Sequence, residues 1–279
     1  MIGAVLGYPL YLLGKLSFQH YGLTELIQHR GTWIGLGNYT QILHDSTFWH
    51  VVLRTVVFTT VNVGLTMVLS TLIALMLVRL GKFMRLLVSS ALVFVWATPP
   101  VVAVNIWRWM VDYEFGVANY TLTKLHLGHF THHDWFASTL SGFGVITALV
   151  VWGAIPFVAI TLYAGLSQVP QELLEAASID GSNGWRVFWD VTFPLLKPIF
   201  VILASLSVIW DFQVFTQVWI MLDQRPPSGY YLMSIYAFVT SFRTNEYGLG
   251  AAIALVMVAI MLCATFVYIR QMVRAREVA

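Results

Sequence analysis

The sequence predicts an all-α fold, a polytopic membrane bundle of six transmembrane helices. Of the 279 residues, 58% are hydrophobic and 10% are charged, whereas soluble domains carry about 25% charged residues. The mean hydropathy is +0.76. Six apolar stretches recur along the chain, and most exceed the about 20 residues that cross a bilayer as a helix. They are expected to be helical because lipid offers no hydrogen-bond partner to a peptide group.

The predicted spans divide the chain unevenly. They cover residues 1–16, 51–78, 86–107, 143–166, 198–222 and 248–269. The first is short and begins at Met1 without the basic flank of a signal peptide, so we expect the natural chain to start upstream. Residues 1–50 then hold the first helix and an outer segment, and residues 51–279 form a core of five helices with a cytoplasmic loop at 167–197.

The basic residues of the short loops set the predicted orientation. The loop after the second span and the C-terminal tail carry Arg79, Lys82, Arg85, Arg270, Arg274 and Arg276. Because basic loops stay in the cytoplasm, both termini and the 167–197 loop are predicted to be cytoplasmic. The outer loops are then residues 19–50, 108–142 and 223–247.

Histidines crowd one of these outer loops, where His126, His129, His132 and His133 precede Asp134. Imidazole clusters can bind zinc, but this spacing matches no metal scaffold, so a solvated His-rich loop is favoured over a metal site.

The lone cysteine excludes an intrachain disulfide. No basic block indicates a nucleic-acid partner.

The 167–197 loop differs from the others because its first half predicts a short amphipathic helix. Pro170 suits a helix start. Leu173 and Ala177 share an apolar side by their i, i+4 spacing. Gly181 is predicted to end the helix because glycine tolerates a left-handed backbone.

The second half of the loop predicts another short helix, residues 184–191, capped by Ser182 or Asn183. Pro194 and Pro198 are then expected to open the fifth span. The aromatic side chains of the predicted helix 184–191 are Trp185, Phe188 and Trp189. A helix pair this apolar is not expected to lie bare in the cytosol, so it should dock on the membrane surface or in the groove of a partner.

This loop resembles the EAA loop of ABC importer permeases. The matching residues are Glu175-Ala176-Ala177, then Gly181, then Val191-x-Phe193-Pro194. The resemblance implies that the helix pair docks into a cleft of a separate ATPase subunit, with Glu175 facing a basic group and Gly181 acting as the hinge. The implied contact set is Glu175, Ala176, Ala177, Asp180 and Gly181.

ATP and magnesium are expected on the partner ATPase, and no cofactor is expected on this chain. Gly14-Lys15 and Gly81-Lys82 are the nearest approaches to a phosphate loop. Both lack the upstream glycine and the following Ser or Thr that such a loop needs.

Further motifs resemble the maltose-type and glycerol-phosphate-type sugar permeases, in their first-subunit branch. The matching residues are Tyr8-Pro9, Gly35-Leu36-Gly37-Asn38-Tyr39, Phe48-Trp49, Thr55, Trp152, Pro156-Phe157, Trp210-Asp211-Phe212-Gln213 and Gly248-x-Gly250-Ala251-Ala252. Two places depart from the pattern. Arg54 stands where the family often has Asn, and residues 223–227 replace a Gly-Gly-Pro stretch.

Polar residues within the spans predict the translocation path, because such residues are costly in lipid and usually face the bundle interior. Asp211 is the only acid well inside a predicted span. Trp210, Gln213 and Gln217 share one helical stripe at i, i+3 and i+7. A partner-subunit contact for Asp211 and a bond between helices for Gln213 are the alternatives.

The resemblance to maltose-type permeases implies that the same region forms the translocation path. It places Asp211 and Gln213 at positions that line a sugar site. It adds Gly153, Ala154 and Phe157 of the fourth span, where small side chains would leave space for a sugar ring.

Together these features predict the permease subunit of an ATP-driven importer of a di- or oligosaccharide in a bacterial-type inner membrane. The expected partners are a second, different permease, two ATPase subunits, an extracytoplasmic sugar-binding protein and membrane lipid. The main alternative is a secondary active transporter of a small polar solute, which would need coupling-ion residues in its spans. A membrane enzyme would need paired acids, a His pair or Ser/Lys geometry in a span, and the sequence has none.

Overall fold

The computed structural model describes residues 2–277, apart from the side chains of residues 2–4, 6, 267–269 and 271–277. Met1 and the side chains of Arg274 and Arg276, which entered the predicted topology, lie outside this description. Two compact units make up the described chain. The first comprises residues up to 59 together with 212–266, and the second comprises residues 60–211 together with the chain beyond 266.

Helices dominate both units, as the composition predicts. In chain order the elements are α1 (Ile2–Ser17), β1 (Gln19–His20), α2 (Leu23–Gln28), β2 (Thr32–Trp33), α3 (Gly37–His44), α4 (Ser46–Arg79), α5 (Lys82–Ala97), α6 (Pro100–Met110), α7 (Val117–Lys124), α8 (Thr139–Leu166), α9 (Gln171–Ile179), α10 (Gly184–Val187), a π-helical turn (Phe188–Thr192), α11 (Phe193–Phe212), α12 (Thr216–Met221), a 3₁₀ turn (Ser228–Tyr230), α13 (Met233–Phe242) and α14 (Tyr247–Glu277).

Four stretches within the described residues are long and apolar enough to cross a membrane: Ser46–Arg79, Thr139–Leu166, Gly184–Phe212 and Tyr247–Phe266. A fifth span results if α5 and α6 are counted together. The helix predicted at residues 1–16 is present as α1, but its 16 residues fall short of a full span. The number of six spans therefore stays a prediction.

The third predicted span, residues 86–107, is broken in the structure. Pro99-Pro100 predicts a break with a kink at this point, and α5 and α6 meet there at an angle of 101°. Pro99 and Pro100 explain the break, since each lacks the N–H group that would continue the ladder of α5. Thr98 closes α5 by donating its N–H to Val95, and Pro100 begins α6 at a position that suits proline.

The first unit is organised around a small segment, residues 18–44, that packs beside its helices and is the predicted outer segment. β1 and β2 pair antiparallel, with Gln19 opposite Trp33. The buried Asn38 donates its amide to the carbonyls of Ser17 (2.8 Å) and Gln19 (2.9 Å). Phe18 stacks on Trp33 with ring centres 5.6 Å apart. A buried apolar cluster completes the core of this unit: Ile42, Phe48, Val51, Phe212, Met233, Ala252 and Ile253.

Two residues at the start of α4 hold the segment that leads into α13. Thr55 is fully buried, and its hydroxyl accepts the N–H of Met233 at 2.9 Å. Arg54 donates to the carbonyls of Ser228 (2.9 Å) and Tyr231 (3.0 Å). These bonds satisfy carbonyl and amide groups in a non-helical stretch. Arg54, which departs from the family pattern, therefore has a structural role here.

The second unit is built on α4, α8 and α11. Ala74, Val158, Leu162 and Leu203 form its buried apolar cluster. The face of α4 that points inward also carries polar residues. Asn62 donates to the Thr147 hydroxyl of α8 at 3.5 Å, and the Ser70 hydroxyl donates to the Ile155 carbonyl at 3.3 Å. Apolar packing and these bonds together join the helices of this unit.

We expect Gly248→Ala to destabilise the protein, although replacing a helical glycine by alanine ordinarily stabilises a helix by about 0.5–1 kcal/mol. A Cβ atom at 248 would overlap the Gln19 carbonyl oxygen, and the Asn38 amide would lie 3.3 Å away. Because the Gln19 carbonyl is part of the backbone, relieving the overlap should lower the free energy of unfolding by about 1–3 kcal/mol. Thermal unfolding of the purified transporter measures the effect.

Gly64→Ala is the matched control, since a Cβ atom there meets nothing within 4 Å. This variant should be as stable as the wild type or slightly more stable. Equal melting temperatures for the two variants would contradict the packing described at Gly248.

Candidate functional site

The predicted helix pair of the 167–197 loop is present, and its turn has the predicted geometry. α9 runs from Gln171 to Ile179, with Pro170 at its N-cap. Gly181 adopts a left-handed φ of +80°. At the end of α9 the N–H of Ser182 bonds to the carbonyl of Ala177 at 3.0 Å, which is a glycine-terminated helix end.

The predicted coupling residues lie on an open surface. Glu175, Ala176, Asp180 and Gly181 are exposed, and Ala177 is half-buried. None of them is held in the core of the chain, so their side chains are available to a partner. A Cβ atom at Gly181 would meet nothing within 4 Å. Glycine is therefore needed at this position for its backbone conformation and not for space.

The second half of the pair differs from the prediction of a separate helix at 184–191. Asn183 caps it as expected, accepting the N–H of Arg186 at 3.0 Å. However, α10 continues through the π-helical turn into α11, so that residues 184–212 form one span. Pro194 and Pro198 lie inside this span and do not begin it.

The π-helical turn gives the physical reason for this correction. Proline clashes with the carbonyl four residues before it, and it lacks the N–H that would bond there. In the π-helical turn the N–H of Phe193 bonds to the carbonyl of Phe188, five residues back. This wider turn precedes Pro194 and lets the helix continue past it.

Large apolar side chains of this helix pair face outward. Ile179 is 86% exposed and Trp185 is 71% exposed. Trp189 is also exposed, and its ring packs against Trp185 (5.8 Å) and Phe193 (5.0 Å). Exposed apolar side chains this close together indicate a docking surface. The predicted partner contact of this loop is consistent with that surface.

Several predicted path residues lie together in the second unit. Phe157 of α8 packs edge-on against Trp210 of α11, with ring centres 5.4 Å apart, and stacks on Trp96 of α5 at 6.4 Å. A Cβ atom at Gly153 would meet nothing within 4 Å, so the helix surface beside Phe157 and Ala154 is open. An aromatic cluster next to open space can hold a flat ligand face.

Asp211 is in the same unit, and it is buried with only 4% of its surface exposed. Its Oδ2 atom has no hydrogen-bond partner within the described part of the chain. The hydroxyl of Ser207, one turn earlier on α11, shares this property. A buried carboxylate oxygen without a hydrogen-bond partner is costly to a folded chain.

Gln213 and Gln217 do not share a helical stripe with Trp210, and this part of the prediction is wrong. α11 ends at Phe212, residues 213–215 are not helical, and α12 begins at Thr216. The Ser234 hydroxyl donates to the Val214 carbonyl at 2.6 Å and so stabilises the break. The sequence lacks Gly or Pro at this point, so no local signal predicted the break.

The His-rich loop shows no metal-binding arrangement. Among the described residues, no three His, Cys, Asp or Glu side chains come together as a metal site would require. His133 instead packs against Trp135 with ring centres 4.9 Å apart. The aromatic residues of this loop show no helical or strand periodicity, so the sequence pattern gives no signal of this packing.

Comparison with known proteins identifies the family. The model of the family described as "Binding-protein-dependent transport system inner membrane component" matches residues 66–274. The diacetylchitobiose uptake system permease protein DasB of Streptomyces coelicolor is 41% identical over 273 residues, which are 98% of this chain and 83% of the relative. The trehalose/maltose transport system permease protein MalF of Thermococcus litoralis is 32% identical over 237 residues, or 85% of this chain and 79% of the relative.

The fold is also that of solved importers. A permease chain of a bacterial ABC transporter involved in the import of the acidic polysaccharide alginate matches with a TM-score of 0.71 and 20% identity, covering 85% of this chain and 84% of that one. The predicted likeness to ABC importer permeases is thus confirmed for the fold. The chain belongs to the family of binding-protein-dependent transport system inner membrane components, and it is a membrane transport permease and not an enzyme.

Proposed function

We propose that this chain is one permease subunit of an ATP-driven importer of oligosaccharides, and that diacetylchitobiose is its first candidate substrate. The observation that carries the proposal is the 41% identity to a diacetylchitobiose uptake permease over 98% of the chain. The second permease, two ATPase subunits and an extracytoplasmic binding protein complete the assembly. ATP and magnesium bind the ATPase subunits.

Uptake of radiolabelled diacetylchitobiose tests the substrate. Deleting the gene for this chain should abolish uptake, and a plasmid copy should restore it. Unlabelled diacetylchitobiose should compete fully, and unlabelled maltose should compete weakly. Unchanged uptake in the deletion strain would exclude this substrate, and competition by other saccharides would then identify the sugar carried.

Purification of the tagged chain in mild detergent tests the assembly in the same cells. An ATPase, a second permease and a sugar-binding protein should co-purify with it. A folded single species without an ATPase would instead favour the secondary transporter.

In this assembly α9 and α10 form the surface that docks into the ATPase. Glu175, Ala176 and Asp180 are exposed beside the apolar side chains of Ile179 and Trp185, as a docking surface requires. This role places the loop and both termini in the cytoplasm, in agreement with the basic residues of the short loops. A reporter that fluoresces only in the cytoplasm, fused to the C-terminus, tests the orientation.

We expect Gly181→Ala to uncouple transport from ATP hydrolysis. A left-handed backbone costs about 1–2 kcal/mol for a residue with a Cβ atom, so the turn between α9 and α10 should shift. The number of sugar molecules transported per ATP should fall severalfold in proteoliposomes containing the full complex.

Gly184→Ala is the control for this test. A Cβ atom at 184 also meets nothing within 4 Å, and Gly184 is not among the residues with a positive φ. This variant should couple normally. Equal coupling in the two variants would remove Gly181 from the hinge role.

The substrate path follows the open side of α8 and the end of α11. Gly153, Ala154 and Phe157 leave space beside the ring of Trp210. Asp211 is buried and belongs to this path by resemblance. Gln213 lies beyond the break after α11 and remains a candidate by resemblance alone, whereas Gln217 rested on the helical stripe that this break interrupts.

Gly153→Leu should block uptake without unfolding the protein, because the added side chain projects into open space. Gly144→Leu is the control for Gly153→Leu, as its position on the same helix is equally open. Uptake by Gly153→Leu that matches uptake by Gly144→Leu would move the path away from this face of α8.

Asp211→Asn should lower uptake about tenfold, since a hydrogen bond to a charged group is strong.

A further inference from the structure

The segment between α6 and α8 is a folded structure and not a loose loop. Asn119 of α7 is buried at its centre, where its amide donates to the carbonyls of Asp112 (3.2 Å) and His133 (3.1 Å). Its side-chain oxygen accepts the indole N–H of Trp135 at 2.6 Å. Phe130 stacks on Trp135 with ring centres 5.6 Å apart. One amide and one aromatic stack thus join the two halves of the segment.

A cavity of about 470 Å³ opens on this segment. This volume lies within the range of about 300–1,000 Å³ that is usual for small-molecule sites. Its walls combine three aromatic rings with charged and polar side chains, chiefly Tyr113, Phe115, Tyr120, Glu114, Lys124 and His132. The rings are accessible, since Phe115 is 76% exposed and Tyr120 is 65% exposed.

Hydrogen bonds and ring contacts hold these walls in place. The Asp112 carboxylate accepts the N–H groups of Phe115 (3.0 Å) and Glu114 (2.9 Å), and these bonds hold its pKa below the usual range. The Lys124 ammonium lies 5.6 Å from the centre of the Tyr120 ring. The backbone of Glu114 and Phe115 and the Tyr120–Lys124 pair are therefore held in place at the cavity wall, which lowers part of the entropic cost of binding.

The lining chemistry suits a saccharide. Sugar rings present flat C–H faces that pack on aromatic rings, and hydroxyl groups that bond to both donors and acceptors. Lys124 supplies donors and Glu114 supplies acceptors. An anionic lipid headgroup is a poorer match, because the Glu114 carboxylate would oppose its phosphate.

The position of the cavity also fits the entrance of a transport path. The segment precedes the N-terminus of α8. The helices α9 and α10, here called the coupling pair because we propose that they dock into the ATPase, follow its C-terminus. α8 has 28 residues, so it separates the two by about 40 Å. With the coupling pair at the ATPase, the cavity faces the side from which substrate comes.

We propose that this cavity is a saccharide-binding subsite at the outer mouth of the permease, which holds a sugar ring before the sugar reaches the path along α8. This proposal rests on the proposed function, because it takes the transported oligosaccharide as the ligand. It adds a binding site outside the membrane-embedded path.

The test is a titration of the assembled transporter in nanodiscs with diacetylchitobiose, without the binding protein, followed by saturation-transfer difference NMR. Tyr120→Ala and Phe115→Ala should each weaken binding about three- to tenfold, as expected for the loss of one stacking ring. Tyr120→Phe keeps the ring and should bind like the wild type. Leu127→Ala, an exposed residue of the same segment outside the cavity, should also leave binding unchanged.

Equal binding by the wild type and Tyr120→Ala would overturn the subsite. So would a Tyr120→Ala variant that loses affinity for the binding protein and keeps its sugar signal, because the cavity would then be a protein contact. A sugar signal that depends on anionic lipid in the nanodisc would overturn it as well.

Uptake in cells reports on the proposed function separately from this titration. A transporter that carries diacetylchitobiose but binds it without the cavity overturns the subsite alone. A chain that supports uptake of no saccharide overturns the proposed function, and the subsite with it.

Discussion

A peptide group in lipid finds no water to bond, and the architecture of this permease follows from that constraint. Long helices satisfy it along most of the chain. Wherever the helical ladder stops within an apolar region, another group must take its place. The Ser234 hydroxyl bonds to the Val214 carbonyl in the break after α11, and the π-helical turn bonds Phe193 to Phe188 before Pro194. The breaks are therefore located where compensation is available.

The same constraint explains why buried polar side chains are bound to backbone. Asn38 ties the outer segment to the end of α1, Thr55 accepts the first N–H of α13, and Arg54 holds the stretch before it. Each of these residues lies far in sequence from the groups it bonds. They fix non-helical segments whose own backbone cannot do so. Asp211 and Ser207 are among the contrasting cases, since a buried oxygen of each has no partner among the described residues.

The two ends of α8 carry different surfaces. After its C-terminus, α9 and α10 expose Ile179 and Trp185 next to small and acidic residues, which suits a protein groove. Before its N-terminus, a cavity combines rings with Lys124 and Glu114, which suits a small polar ligand. The two surfaces are separated by α8, an apolar helix of 28 residues. Such a separation is what an importer needs if energy and substrate arrive from opposite sides.

Local patterns in the sequence determined the features that depend on local physics. Hydropathy predicted the four long apolar helices found among the described residues, and Pro170 with the apolar spacing of Leu173 and Ala177 predicted the short helix α9. Gly181 predicted the left-handed turn, and Asn183 predicted a helix cap, because capping and backbone preference act over a few residues. Only the tertiary structure decided the break at 213–215, the passage of a helix through Pro194, and the cavity around Tyr120. These features depend on contacts between residues distant in sequence or on the balance between competing local terms, and neither leaves a periodic pattern in the chain.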